Sequence, residues 1–335
     1  MKEIGSEFWD IPVGGKTISF PPGTEYFLSG RAALSHIIND IKATGRIESV
    51  LLPSYLCETM ITPFTREGIT VKTYPVYAEN GRLKKDLPDK CDADAVLLMD
   101  YFGFASEYAA PEYSCTVIRD MTHSVFTEIP DDAGYSYGSL RKWAGFYTGG
   151  FAWKKNSESF SIPMTEGINE EFVSLRREAM DMKWEFLQGK RGDKQYLETF
   201  ARAENALDAN PFGMADVEDL INITMLDAEK IKTKRRKNAA LIMSRLSDYT
   251  MFDTLHDNDC PLFVPVLLPK QKRDALRNYL IENRVYCPVH WPVPGSIELS
   301  DGERLLYDCE LSLICDQRYD EEDILREIQL IESFI

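Results

Sequence analysis

The chain has 335 residues, 44% of them hydrophobic, and a formal charge of −16; that is apolar material for a large core, and the acidity excludes a general nucleic-acid binder, which concentrates Lys and Arg against phosphates. Seven scattered cysteines without a Cys-x-x-Cys pair set aside a disulfide framework and a zinc or other metal site, and point to a reducing, cytoplasmic setting. The start of the sequence lacks the apolar core of a signal peptide and no stretch approaches the roughly 18 apolar residues of a membrane span, so no membrane partner is expected.

From Gly30 the spacing of Leu34, Ile37, Ile38 and Ile41 predicts a helix that stops at Gly45. An apolar run at 50–53 follows, then a helical stretch at 59–66, a strand-like segment at 69–74 and further apolar runs at 95–99, 115–118 and 149–153. Short apolar runs alternating with helical segments predict an α/β fold with a mostly parallel central sheet flanked by helices. In such sheets ligands bind beyond the carboxyl ends of the strands, where Asp120 and Tyr101-Phe102-Gly103 fall.

A helical region from Asn169 to about Lys190 leads into a polar stretch around 189–211, and Asp216 to Leu246 again has helical spacing. Its basic cluster, Lys232, Lys234, Arg235, Arg236 and Lys237, is expected to be a solvated helix face. A strand at 263–268 and helices at 270–283 and 320–335 complete a smaller C-terminal α/β lobe. Residues 1–225 are therefore expected to form the large domain and 226–335 the small one.

The chemistry is concentrated in two motifs, Ser139-Leu140-Arg141-Lys142 before Gly149-Gly150, and Asp120 three residues before His123. A lysine that forms a Schiff base and an acid that pairs with a protonated pyridine nitrogen are the residues needed to hold pyridoxal 5'-phosphate. The phosphate needs amides or hydroxyls, and Ser29-Gly30-Arg31-Ala32 opens the first helix, either as such a cradle or as a plain cap. Ser139 supplies a hydroxyl near Lys142. His123 is a candidate to lie against the ring or to be a structural hydrogen-bonding residue, and Tyr55, Tyr101 and Phe102 are candidates to cover a ring face. Arg141, Arg318, His290 and Trp291 are either pocket residues or, for the arginines, structural ion pairs. Gly15-Lys16-Thr17 mimics the end of a P-loop, but Asp10 stands where its first glycine belongs and Pro21-Pro22 follows where a helix is required.

Taken in order, these residues resemble the DegT/DnrJ/EryC1/StrS family of fold-type I pyridoxal-phosphate aminotransferases, the sugar aminotransferases. The likeness runs nearly end to end, through Ser29-Gly30-Arg31-Ala32-Ala33-Leu34, Leu52-Pro53-Ser54-Tyr55, Tyr101-Phe102-Gly103, Asp120-x-x-His123, Ser139-x-x-Lys142, Val289-His290-Trp291-Pro292 and Leu311-Ser312-Leu313. The resemblance implies a homodimer, glutamate as amino donor and a keto-sugar, often nucleotide-linked, as acceptor. It implies that Lys142 binds the cofactor covalently, that Asp120 meets the pyridine nitrogen and that Arg31 and Ala32 give amides to the phosphate; Gly30, Tyr55, His123 and Ser139 complete the expected cofactor site. The sequence departs from the family at Cys57, near the position of its usual aromatic, and around Asn210-Pro211-Phe212, a loose match to its partner-subunit loop. Two other outcomes keep the cofactor: a lyase or decarboxylase, and a non-catalytic regulatory protein. Dehydratase relatives carry histidine in place of the lysine, and Lys142 argues against that branch.

Overall fold

The computed structural model describes residues 2–105, 111–129 and 132–335. The chain divides into two compact units, one made of residues 1–6, 47–131 and 230–335, the other of residues 7–46 and 132–229.

The first unit is built on four parallel strands in the order Thr116–Asp120, Ala95–Met99, Ser49–Pro53, Thr70–Tyr74. Ala95–Met99 is buried at every position, as expected for a strand covered on both faces. The helix Glu58–Arg66 makes the crossover between the last two strands. Register places Asp120 beside Met99, so Asp120, Asp100-Tyr101 and Ser54-Tyr55 all leave the sheet at its carboxyl edge, the rim expected from the sequence. The C-terminal stretch adds an antiparallel pair, Val264–Leu267 with Glu310–Leu313, and the helices Lys270–Glu282, Asp301–Cys309 and Glu321–Phe334. The last two begin with capping boxes, Ser300 with Glu303 and Asp320 with Asp323, in which two orphan amides satisfy each other's side chains.

In the second unit, Gly150–Lys154 lies between Glu25–Phe27 and Tyr135–Ser139, antiparallel to both. The helix Gly30–Thr44 packs on these strands and buries Leu34, Ile37, Ile38 and Ile41, the residues whose spacing predicted it. Helices Glu170–Leu187 and Tyr196–Ala209 pack on each other around Ala179, Met180, Tyr196 and Phe200.

Three expectations change. The run at 149–153 pairs antiparallel with Tyr135–Ser139, a strand that the sequence does not signal because its five buried residues are tyrosines, serines and a glycine in place of aliphatics. The polar stretch at 189–211 contains a helix, Tyr196–Ala209, whose Tyr196, Thr199, Phe200, Ala203 and Leu207 fall on one buried face. The region 216–246 is two helices, Val217–Met225 and Ala228–Arg245; they part where Leu226 and Asp227 bridge to Val13 and Thr17, which also makes the P-loop look-alike part of a β-bridge.

One close approach fixes the second unit. Gly150 passes so near the backbone of Ser29 that a Cβ there would sit 2.2 Å from the Ser29 carbonyl oxygen, and Gly149 takes φ +112°, a region that favours glycine. Gly150→Ala is therefore expected to overpack the strand against the helix start and cost about 3 kcal/mol, measured by urea unfolding; a loss no greater than that of an exposed alanine substitution would show the approach to be slack.

Candidate active site

The helix start, Ser139 and Lys142 are brought together in the second unit. Ser29 caps the helix, its Oγ accepting from the Ala32 amide at 3.2 Å, so the cap exists as the sequence suggested and the Ala32 N–H is committed to it. A Cβ on Gly30 would lie 3.5 Å from both the Gly138 carbonyl oxygen and Ser139 Cβ. The missing side chain thus leaves room between the helix start and the end of Tyr135–Ser139. Lys142, half-buried, ends the single 3-10 turn that follows this strand, Leu140–Lys142, and the turn is pinned by the Leu140 N–H donating to the Gly149 carbonyl at 2.8 Å.

Buried charges hold the loop that carries Lys142. Asp219 accepts the Thr148 amide and hydroxyl, each at 2.6 Å, and the Tyr147 amide at 3.3 Å; burial raises its carboxyl above the usual range against these bonds. Arg176 donates to the Phe146 carbonyl at 3.2 Å. Sequence reasoning missed both, since Asp219 looks like an ordinary acid in a first helical turn and Arg176 like a surface cation. Arg31 pairs with Asp208 at 2.6 Å. Arg141 pairs with Glu204 and lies 5.0 Å from the centroid of the Phe172 ring, which settles it as an ion-paired residue.

Asp120, Tyr55, Tyr101, Phe102, His123, His290 and Trp291 are the candidates in the first unit. Asp120 is the last residue of its strand and 3% exposed, with Oδ1 accepting the Thr122 amide at 2.7 Å. The His123 ring lies 5.5 Å from that of Trp291 at 26°, and its Nδ1 accepts the Phe102 amide at 3.3 Å; a neutral His123 therefore carries its proton on Nε2. Tyr55 has 0% exposure. Its hydroxyl donates to the His290 carbonyl and its own carbonyl accepts from Tyr101 at 2.6 Å, while its ring meets Tyr101, Trp291 and Tyr307. These contacts make Tyr55 part of an interior aromatic cluster.

Two basic residues are structural. Arg235 is 1% exposed and donates to the Gln317 side chain at 2.8 Å and the Leu262 carbonyl at 2.8 Å, so the expected solvated face turns one guanidinium inward. Arg318 forms a two-point pair with Asp316, at 2.9 and 2.8 Å. Burial alone would raise the Asp316 carboxyl, but the charge and hydrogen bonds of Arg318 outweigh it and hold Asp316 below the usual carboxylate range. All seven cysteines are free thiols. Among the described residues no helix is long and apolar enough to cross a membrane.

Comparison of the sequence with protein-family models gives no match, and a search of curated proteins gives none. Solved structures do match. PseC of Helicobacter pylori, an aminotransferase involved in the biosynthesis of pseudoaminic acid, superposes with TM-score 0.66 at 12% identity over 98% of this chain and 99% of that one. The chain has the fold of these aminotransferases. The putative sugar aminotransferase Spr1654 of Streptococcus pneumoniae, in its PLP form, gives TM-score 0.65 at 11% identity over 100% of both chains. NtdA of Bacillus subtilis, solved with bound PMP, gives 0.61 at 12% identity over 93% and 73%. The mixed, mostly parallel sheet with flanking helices expected from the sequence is the architecture of this fold.

Removing the Arg318 partner should leave a buried carboxylate uncompensated. Arg318→Ala is expected to lose about 3 kcal/mol of stability near neutral pH. Because the Asp316 pKa is depressed in the folded state, the pair's contribution is present above the unfolded-state value and lost as pH falls through the folded one, so the deficit should shrink in acid. A urea-unfolding series against pH checks this; an undiminished deficit at low pH would contradict it.

Proposed function

We propose that the chain is a pyridoxal-phosphate-dependent aminotransferase that moves an amino group from glutamate to a keto-sugar or similar carbonyl acceptor, as a cytoplasmic homodimer. The observation that carries this reading is the placement of Lys142 on the turn after Tyr135–Ser139, with the Gly30 helix start against the same strand end. A lysine, a serine and a helix N-terminus carried by these neighbouring segments are the kinds of donor that a phosphorylated carbonyl compound requires.

The residues fit the cofactor. Lys142 would hold its carbonyl carbon, Ser139 and the amides of Gly30 and Arg31 its phosphate, and Asp120 its ring nitrogen. The Ala32 amide is less suited than the resemblance implies, because Ser29 engages it. When bound, pyridoxal phosphate supplies an electron-withdrawing ring that stabilises negative charge on the carbon bearing the amine. Asp120 keeps the ring nitrogen protonated, its carboxylate oriented by the Thr122 amide. Lys142 accepts and returns a proton at Nζ, and Asp219 and Arg176 hold its loop in place while it does so. His123, whose Nδ1 is taken by the Phe102 amide, offers Nε2–H as a donor.

For the dimer, the support is an exposed apolar stripe on the helix Val217–Met225, where Val217, Ile221 and Met225 are 70%, 54% and 43% exposed at intervals of four residues. A surface of this kind marks an interface, and a second copy of the same chain is the occupant proposed.

Three variants test these proposals. Lys142→Ala, mixed with pyridoxal phosphate, should lose the visible absorption band of the wild type and, after borohydride reduction, the cofactor-modified peptide at that position; retention of both would refute the role. Asp120→Ala should keep part of the band but lose at least about 100-fold in turnover with glutamate. Separately, Ile221→Glu should sediment as a monomer at concentrations where the wild type sediments as a dimer.

A further inference from the structure

The first unit holds a short chain of buried polar atoms at His290. One Glu310 oxygen, Oε2, accepts the His290 backbone N–H at 2.7 Å, and the other, Oε1, lies 2.5 Å from Ser312 Oγ. The same hydroxyl lies 3.0 Å from His290 Nδ1. Glu310 and Ser312 have 0% exposure and His290 7%, so these polar atoms meet one another inside the unit. Sequence reasoning assigned Glu310 no role, because a single acid at the start of the short strand Glu310–Leu313 carries no motif.

The order of donors in this chain has two solutions. An ionised carboxylate only accepts, so the Ser312 hydrogen points to Glu310, Ser312 Oγ accepts from Nδ1–H, and His290 Nε2 bears a lone pair. A protonated Glu310 instead donates to Ser312 Oγ; the hydroxyl hydrogen turns to Nδ1, and the imidazole proton resides on Nε2. We propose that Glu310, acting through Ser312, decides which ring nitrogen of His290 carries the proton, and so makes Glu310 a positioning residue for the aromatic cluster that contains His123. Between the two states one proton leaves the carboxyl group for solvent, the imidazole stays neutral, and its single proton moves from Nε2 to Nδ1.

His290 is placed to transmit the change. Its ring centroid is 5.5 Å from those of His123 and Phe102, 5.3 Å from that of Trp291 and 5.2 Å from that of Phe263, and its carbonyl is held by the Tyr55 hydroxyl. The charged and titratable groups around Glu310 are few. Arg273, from the helix Lys270–Glu282, donates to the Glu310 carbonyl at 2.7 Å and draws the carboxyl down. Tyr55 and Cys287 feel the Glu310 charge, and Glu327 accepts from Cys287 at 3.2 Å. Burial outweighs the backbone amide, the Ser312 hydroxyl and Arg273, and pushes Glu310 up to about 8, so both states fall within reach of experiment.

The consequence for turnover rests on the proposed function; the tautomer does not. The chain has four histidines, so a full-length sample with 15N-labelled histidine resolves their ring nitrogens, and His290 is identified by the signals lost in His290→Gln. The wild type should change from Nε2–H to Nδ1–H between about pH 6.5 and about pH 9.5. Glu310→Gln, whose amide N–H replaces the protonated carboxyl, should stay Nε2–H throughout, and Ser312→Ala should show one tautomer at both values. A wild-type tautomer that does not change, or a Ser312→Ala variant that changes as the wild type does, overturns the proposal, and neither measurement requires Glu310→Gln to fold. If the tautomer changes as expected yet no variant or wild type accepts an amine from glutamate, the aminotransferase reading fails and the coupling stands. If turnover is present, the limb of its pH profile that follows Glu310 should vanish in Glu310→Gln while the bound-cofactor spectrum is kept.

Discussion

The contact between Gly150 and the Ser29 backbone is the constraint on which the second unit depends. Two segments far apart in sequence approach more closely there than any side chain would permit, and the strand Gly150–Lys154 then sets the register of Tyr135–Ser139. The turn bearing Lys142 follows from that register, because Leu140 bonds back to Gly149. A small-residue requirement in the backbone thus determines where an amine stands relative to a helix start. The position of the lysine's backbone is inherited from a packing condition.

In the first unit, the corresponding constraint is the parallel register. Alignment of Asp120 with Met99 sends three loops from one edge, and the loops are stiffened by aromatic rings, backbone-directed hydroxyls and the buried Arg119–Asp100 pair. Polar groups buried among those rings are costly unless each is satisfied. Asp120, His123 and Glu310 all meet this demand by bonding to backbone amides. A carboxylate or imidazole held in this way keeps one orientation without needing a countercharge close by.

How much of this was legible in the sequence varied with the kind of signal. Helix Gly30–Thr44 and strands Ser49–Pro53 and Ala95–Met99 were readable because aliphatic spacing and burial coincide. Tyr135–Ser139 was not, because its burial is carried by tyrosines, serines and a glycine, and Tyr196–Ala209 was hidden by the charged residues interleaved with its apolar face. Lys142 and Asp120 are singled out by motif alone, whereas Asp219, Arg176 and Glu310 are distinguished by partners distant in the chain. Arg235 shows the limit most directly: nothing in a run of basic residues tells which one turns inward to meet carbonyls.

The way the chain alternates between its compact units bears on how it is made. Residues 47–131 share a unit with residues 230–335, so the four parallel strands emerge from the ribosome well before the helices and strands assigned to the same body. The intervening unit, residues 132–229 with 7–46, has all its pieces first. During synthesis the rings at the carboxyl edge, Tyr55 and Phe102 among them, are therefore made well before their partners Tyr307 and His290, the circumstance in which nascent chains recruit chaperones.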